Sequence, residues 1–206
     1  MTEDGFFRLI FLIVLLLVFL IRIYFGVRQR KTGQSSWKVS EEAVEREGRW
    51  SLLLRPVSFL FMLALAVIYF VEPSNLGWLY FPLPWHVRTL GALLCTCGLP
   101  LLAWTHQTLG RQWSTTLQLK EEHKLITSGP YQFIRHPMYT SLSIIFAGLG
   151  ILSSFWPFWI FVTMTIVFFT RIVRQEEEMM IERFRDEYIA FIEKTGRYFP
   201  RIGRKR

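Results

Sequence analysis

The sequence predicts an all-α integral membrane protein with five transmembrane helices, the last two a tight hairpin, followed by a C-terminal amphipathic helix. Three observations carry this. The 206 residues are 51% hydrophobic and 17% aromatic, too apolar for an ordinary soluble domain. The charged residues, 19% of the chain, fall between the apolar runs and at the C-terminus rather than being spread evenly. Lysine and arginine are abundant in alternate connecting segments and absent from those between.

The first apolar run spans about Phe6 to Phe25. Its unbroken middle, Leu9 to Ile21, is flanked by Arg8 and Arg22, whose long stems can carry the charge to either interface. The second spans about Leu52 to Val71, with Pro56 in its first turn, where proline is tolerated. The third spans about Val87 to His106 and is expected to kink at Pro100. The fourth, Met138 to Leu152, covers roughly 22 Å as a helix, short of a ~30 Å hydrocarbon core. The fifth spans about Trp156 to Val173, and Ser153-Ser154-Phe155-Trp156-Pro157 turns the chain between the last two. Beyond it Met180, Ile181, Phe184, Tyr188, Phe191 and Ile192 share one helical face, which should pack on the membrane face of the protein or on the loops. The chain reads as a single membrane domain, 1–206. Three N-terminal spans with a cytoplasmic loop at 26–51 occupy 1–110, and a cofactor-binding and catalytic half occupies 111–206.

The positive residues set the orientation. Arg28, Arg30, Lys31, Lys38, Arg46 and Arg49 follow the first span, and Arg111, Lys120, Lys124 and Arg135 follow the third. The segment Glu72 to His86 and the fourth-to-fifth turn have none. The N-terminus is therefore expected outside and the C-terminus in the cytoplasm, of a prokaryotic plasma membrane or the endoplasmic reticulum. Basic flanks of this kind account for the net charge of +8, and no nucleic-acid motif is present, so membrane lipids rather than nucleic acid are the expected surroundings. Glu3 and Asp4 precede a long apolar run, unlike a secretory signal. Cys95 and Cys97, two apart within a span, form no redox or zinc motif and read as small packing residues; the four histidines have no metal-ligand spacing, so no metal is expected.

Two stretches place charge against a membrane span, where it costs about 2.5–3.5 kcal/mol per residue and is usually functional. The first is Arg135-His136-Pro137-Met138-Tyr139. Pro137 suits the first helical position and favours an extended His136. Unpaired amides near Met138, Tyr139 and Thr140, with Arg135 beside them, would make an anion site able to hold a carboxylate or a phosphate. The second is Glu176-Glu177-Glu178. Glu177 lies four before Ile181 and Glu176 four before Met180, so both fall on or beside the buried face, with Glu178 on the wet one. Inward carboxylates at a membrane boundary need cationic partners, for which Arg135, Arg171 and a ligand ammonium or sulfonium are candidates. Separately the stretches would pass for interfacial anchors and an acidic helix start; together they suggest one site.

From about Gln118 onward the chain resembles the isoprenylcysteine carboxyl methyltransferase family of the phospholipid methyltransferase superfamily. The matching features are His123-Lys124-Leu125-Ile126, Gly129-Pro130-Tyr131, Arg135-His136-Pro137-Met138-Tyr139, Arg171, Glu176-Glu177, Phe184-Arg185-Asp186-Glu187-Tyr188 and Arg197-Tyr198-Phe199-Pro200. The N-terminal half matches only in the number and placement of its spans. The resemblance implies a membrane-embedded methyltransferase using S-adenosyl-L-methionine, with the cofactor among Gln118, His123, Lys124, Leu125, Ile126, Tyr131, Arg135, His136, Pro137, Met138, Tyr139 and Glu176. It implies that Arg171 faces a lipid-like or prenylated methyl acceptor with Glu177 nearby as the catalytic pair, the register of the glutamates being fixed only to within one residue. Arg185 departs from the family pattern, where glycine is common, and is expected to affect only local packing. The implied reaction is carboxyl O-methylation of an isoprenylcysteine-like acceptor, because a carboxylate is already ionised at neutral pH and needs no base. Phospholipid amine N-methylation, thiol S-methylation, an NADPH-dependent membrane reductase and a non-catalytic membrane protein are the alternatives. The sequence gives no oligomeric state.

Overall fold

The computed structural model describes residues 3–30, 41–71, 74–113, 116 and 124–201, the side chains of residues 42, 43, 74 and 111 excepted. The described residues form seven α-helices and three short 3₁₀ turns, the helices being α1 (Glu3–Arg30), α2 (Glu41–Glu47), α3 (Arg49–Val71), α4 (Trp85–Leu109), α5 (Pro137–Ser153), α6 (Pro157–Phe184) and α7 (Asp186–Lys194). Each of the five predicted spans is a helix. Four of them, α1, α3, α4 and α6, are long and apolar enough to cross a membrane. The fourth, α5, has 17 residues and is roughly 26 Å long. Exposed Leu16, Leu20, Leu60, Val67 and Val167 leave the outside of the bundle apolar. A patch of that extent requires a nonaqueous surround, and the chain is an integral membrane protein.

The short helix α5 is the most enclosed, and small residues explain how. Gly91, Cys95 and Gly98 make one face of α4, and Gly148 meets it from α5. A Cβ on Gly148 would lie 2.7 Å from both Cys95 Sγ and the Gly91 carbonyl oxygen. The two backbones therefore approach as small residues allow in membrane helix pairs. Cys95 is fully buried there, in keeping with the packing role expected of it, whereas Cys97 is exposed; both are free thiols. The helix α4 continues through Pro100.

At the end of the bundle opposite the cavity described below, the predicted α5–α6 hairpin forms over Ser154, which adopts φ 52° and ψ 25°. It is clamped by the segment before α4: Phe81 N–H donates to Ser154 O at 3.0 Å and Trp156 N–H to Leu79 O at 3.1 Å. The core beneath is aromatic. Fully buried Phe11 of α1 contacts Tyr69 of α3 and Phe158 of α6 at ring-centroid distances of 4.9 and 5.5 Å.

Two features depart from the sequence reading. Residues 41–47, read as loop, form α2, which Gly48 (φ 76°) turns into α3. The predicted continuous amphipathic helix is broken. The fifth span runs on as α6 through the glutamates to Phe184, and Arg185 (φ 45°, ψ −120°) then starts α7. The helix α4 ends the same way at Gly110 (φ 51°, ψ −116°), and in both cases the turn amide donates to the carbonyl four residues back. Glycine adopts this geometry freely, whereas for arginine it costs about 1–3 kcal/mol. Arg185→Gly is therefore expected to stabilise the protein by about 1 kcal/mol, seen as a higher melting temperature in detergent. An unchanged or lower value would mean that contacts of the Arg185 side chain offset the backbone strain.

Candidate active site

The cavity is built from the turn that precedes α5. Gly129 (φ 59°) begins a 3₁₀ turn, Gly129–Gln132, seated on the end of α4; a Cβ there would lie 2.6 Å from Thr108 Oγ1. Tyr131 in this turn is buried with Tyr188 and Phe191 of α7, packed against Leu125, Ile126, Met180 and Ile192. The amphipathic face of α7 thus packs on the turn, one of the two places expected for it. Residues 133–136 then pair with the C-terminal segment as a short parallel bridge. Arg135 N–H donates to Gly196 O at 2.8 Å and His136 N–H to Arg197 O at 3.1 Å. This non-local pairing carries Arg197 to the start of α5.

Three cationic side chains converge on Glu177. Arg135 Nε donates to Glu177 Oε1 at 2.9 Å, His136 Nε2 lies 3.2 Å from the same oxygen, and Arg197 donates to Oε2. Arg135, His136 and Glu177 are all buried. Arg135 also donates to the carbonyls of Ile192 and Thr195, which ties α7 to the site. Burial alone would lower the His136 pKa, but contact with Glu176 and Glu177 outweighs it and holds the imidazole above its usual range. The hydrogen bond to Glu177 likewise raises Arg197.

Glu176 is placed differently from its neighbour. Its Oε2 lies 3.6 Å from His136 Nδ1, is itself buried, and has no hydrogen-bond donor within reach. It lines a cavity of about 890 Å³, counting the open mouth, with Leu109, Trp113, Lys124, Leu125, Ile126, Tyr131, Arg135, His136, Met138, Tyr139, Ile172, Met180 and Arg55 among its other walls. The Tyr131 hydroxyl stays protonated there, pushed well up by burial and then by the charge of Glu176.

Most of the residues singled out in the sequence thus surround one space. Lys124, Leu125, Ile126, Tyr131, Arg135, His136, Met138, Tyr139 and Glu176 line it, and buried Pro137 is the first residue of α5. Gln118 and His123 lie outside the described residues. Glu177 sits within the cluster of cations rather than in the cavity wall, and Glu178 is exposed. Arg171 is exposed and lines no part of the cavity; it lies on the outward stripe of α6 with Met164, Val167 and Arg174. That stripe passes from apolar to charged at Arg171, as expected at a bilayer boundary. The anion site also differs in detail. His136 has φ −124° and ψ 58°, less extended than a residue before proline usually is, and the Thr140 amide, expected free, donates to His136 O. The sequence reading gave no role to Arg197, Trp113 or Arg55. The first stood in the C-terminal motif; the others carried no signal.

Most of the residues around this cavity lie in the part of the chain that is similar to known proteins. The family model for phospholipid methyltransferase matches residues 87–187. Over 118 residues, 55% of this chain and 48% of the relative, the chain is 32% identical to the protein-S-isoprenylcysteine O-methyltransferase of Saccharomyces cerevisiae. Over 120 residues, 57% of this chain and 55% of the relative, it is 26% identical to the nickel-cobalt-cadmium resistance protein NccN of Alcaligenes xylosoxydans xylosoxydans. The matches span about half the length of these relatives. The solved eukaryotic intramembrane Ras methyltransferase, an isoprenylcysteine carboxyl methyltransferase, superposes with a TM-score of 0.58 at 22% identity, covering 73% of this chain and 55% of that one. Residues 87–187, just under half of the chain, are thus similar to the phospholipid methyltransferase family, and the chain has the fold of the isoprenylcysteine carboxyl methyltransferases.

Proposed function

We propose that the chain is an S-adenosylmethionine-dependent methyltransferase that methylates the carboxylate of an isoprenylcysteine-like acceptor at the cytoplasmic face of a membrane. One observation carries the reading: Arg135, His136, Met138 and Tyr139 close on one cavity with Glu176, about 40 residues on, and a buried carboxylate oxygen of Glu176 has no hydrogen-bond donor there. That oxygen makes only a 3.6 Å contact with His136, and a ligand ammonium would give it the donor it lacks. The residues fit the amino-acid and adenosine ends of the donor. Glu176 would hold the ammonium. The start of α5 at Met138 and Tyr139, set by Pro137, would hold the carboxylate. Leu125, Ile126 and Tyr131 would cover the base, with Lys124 at the rim; Gln118 and His123 are assigned here by resemblance. When bound, S-adenosylmethionine supplies an electrophilic methyl group on sulfonium sulfur. The chain's own contribution is alignment and exclusion of water.

The protonation of the walls supports the carboxylate as acceptor. The two glutamates hold His136 above its usual range, which disfavours it as a base, and burial pushes the Tyr131 hydroxyl well up. An amine or most thiols would first have to lose a proton; a carboxylate would not. We give Glu177 a positioning role, through Arg135 and His136, and Arg171 an interfacial one on the side from which a lipid-borne acceptor arrives. The N-terminus is assigned outside and the C-terminus to the cytoplasm from the distribution of lysine and arginine. Residues 1–206 form one membrane domain in which 111–206 supplies most of the cofactor site.

The test is ligand-dependent stability followed by methyl transfer. S-adenosylhomocysteine at 100 times its dissociation constant should stabilise the detergent-solubilised protein by about 2.7 kcal/mol, and NADPH should not. Radiolabelled S-adenosylmethionine should then label N-acetyl-S-farnesylcysteine in preference to phosphatidylethanolamine or a small thiol. Stabilisation by NADPH alone, or labelling of the lipid amine alone, would replace this reading.

A further inference from the structure

The residue that would receive the acceptor's carboxylate need not be the arginine the family resemblance suggests. Arg171 is exposed and absent from the cavity wall, whereas Arg55 of α3 lines it. Arg55 stands in an apolar setting, Leu52-Leu53-Leu54-Arg55-Pro56-Val57, with Leu53, Leu54 and Val57 facing outward. A guanidinium so placed is costly unless something holds it. Glu47 does so from α2, with a fully buried side chain paired to one terminal nitrogen of Arg55. Glu47 is in turn held in place because α2 is fastened to α6: Arg46 pairs with Glu182 at 2.9 Å and Gln175 Nε2 donates to Arg46 O at 3.0 Å. On its other side the Arg55 guanidinium lies 6.0 Å from the centre of the Phe168 ring of α6. Arg55 therefore sits where the packed helices α3 and α6 meet, between the cavity and the outward apolar faces of both.

Resting on the methyltransferase reading above, the geometry points to Arg55, oriented by Glu47, as the residue that binds the carboxylate of a lipid-borne acceptor entering between α3 and α6. A guanidinium has five donors in a planar fork and matches a carboxylate with two parallel bonds. Phe168, with Ile172 and Tyr139 behind it, supplies apolar surface beside the charge. Cation and apolar wall together suit an anionic head group attached to a hydrocarbon chain. The reacting oxygen would thus approach from the α3 side, across the cavity from the turn that carries Tyr131.

The test compares two ligands that differ only in charge, N-acetyl-S-farnesylcysteine and its primary carboxamide, binding to the full chain in detergent. S-adenosylhomocysteine binding is measured on the same samples. The wild type should prefer the acid by about tenfold or more, the value of a charge-assisted bond. Arg55→Gln should bring the ratio close to one while S-adenosylhomocysteine affinity stays within about twofold. Arg55→Lys, which keeps the charge and the pairing with Glu47 but loses the fork, should give an intermediate ratio, and it decides the matter if the glutamine variant does not fold. An acid preference that survives in both variants overturns the assignment and leaves the methyltransferase reading intact. Equal binding of acid and amide by the wild type, or binding of neither, also overturns it. Failure of the wild type to bind S-adenosylhomocysteine is a separate readout and counts against the methyltransferase reading itself.

Discussion

Glu177→Ala is expected to destabilise the protein by about 3–5 kcal/mol, the usual result of removing one partner from a buried ion cluster. The carboxylate receives Arg135 and His136 on one oxygen and Arg197 on the other. Its loss leaves the Arg135 guanidinium buried without its carboxylate and the His136 imidazole with only the longer contact to Glu176. The consequences reach beyond the pair. Arg135 also holds the carbonyls of Ile192 and Thr195, and residues 134 and 196 pair as a parallel bridge, so the same cluster fastens α7 and the C-terminal segment to the start of α5. The variant should melt well below the wild type in detergent and bind S-adenosylhomocysteine poorly because the cavity wall is no longer held. Glu177→Gln, which keeps the shape and some hydrogen bonding, should recover part of the loss. A melting temperature equal to that of the wild type would remove Glu177 from its structural role and reopen a direct one in catalysis.

The architecture was legible because membrane spans announce themselves by length and hydropathy, and their ends by charge. The runs from Phe6, Leu52, Val87, Met138 and Trp156 all became helices, extended at their ends by polar residues that hydropathy does not count. Helical periodicity also sorted the glutamates, with Glu178 exposed and the other two turned inward. It did not reveal that Glu177 would be fully engaged while Glu176 kept an unbonded oxygen. That difference depends on Arg197, which arrives through backbone pairing between residues more than 60 apart in sequence. The helix α2 was missed because seven mostly charged residues have no apolar stripe to read. The break at Arg185 was missed because a non-glycine residue at positive φ gives no local signal. Arg55 carried no signal in the sequence; the packing of α3 on α6 placed it at a cavity wall. In each case the missing information was tertiary: which charge meets which across the bundle.

Glu176→Ala should act in the opposite sense to the change at its neighbour, leaving the fold intact and removing the ligand. Glu176 contributes one oxygen that has no hydrogen-bond donor and only a 3.6 Å contact with His136 on a partly exposed side chain, so truncating it costs the empty protein little. Thermal stability without ligand should therefore fall by no more than about 1 kcal/mol. If that oxygen receives the ammonium of the donor's amino-acid end, S-adenosylhomocysteine affinity should fall about ten- to a hundredfold, the worth of a charge-assisted hydrogen bond in a partly desolvated site. A structural effect on His136, 3.6 Å away, could lower affinity as well, and a second ligand separates the two explanations. An S-adenosylhomocysteine analogue lacking the amino group should bind the wild type weakly and should lose almost nothing further on Glu176→Ala. Isothermal titration of both ligands against both proteins closes the cycle. A strong coupling between the amino group and Glu176 assigns the contact. Independent, additive losses would show that Glu176 acts only by shaping the pocket, and the ammonium would then have to be sought at another wall of the cavity.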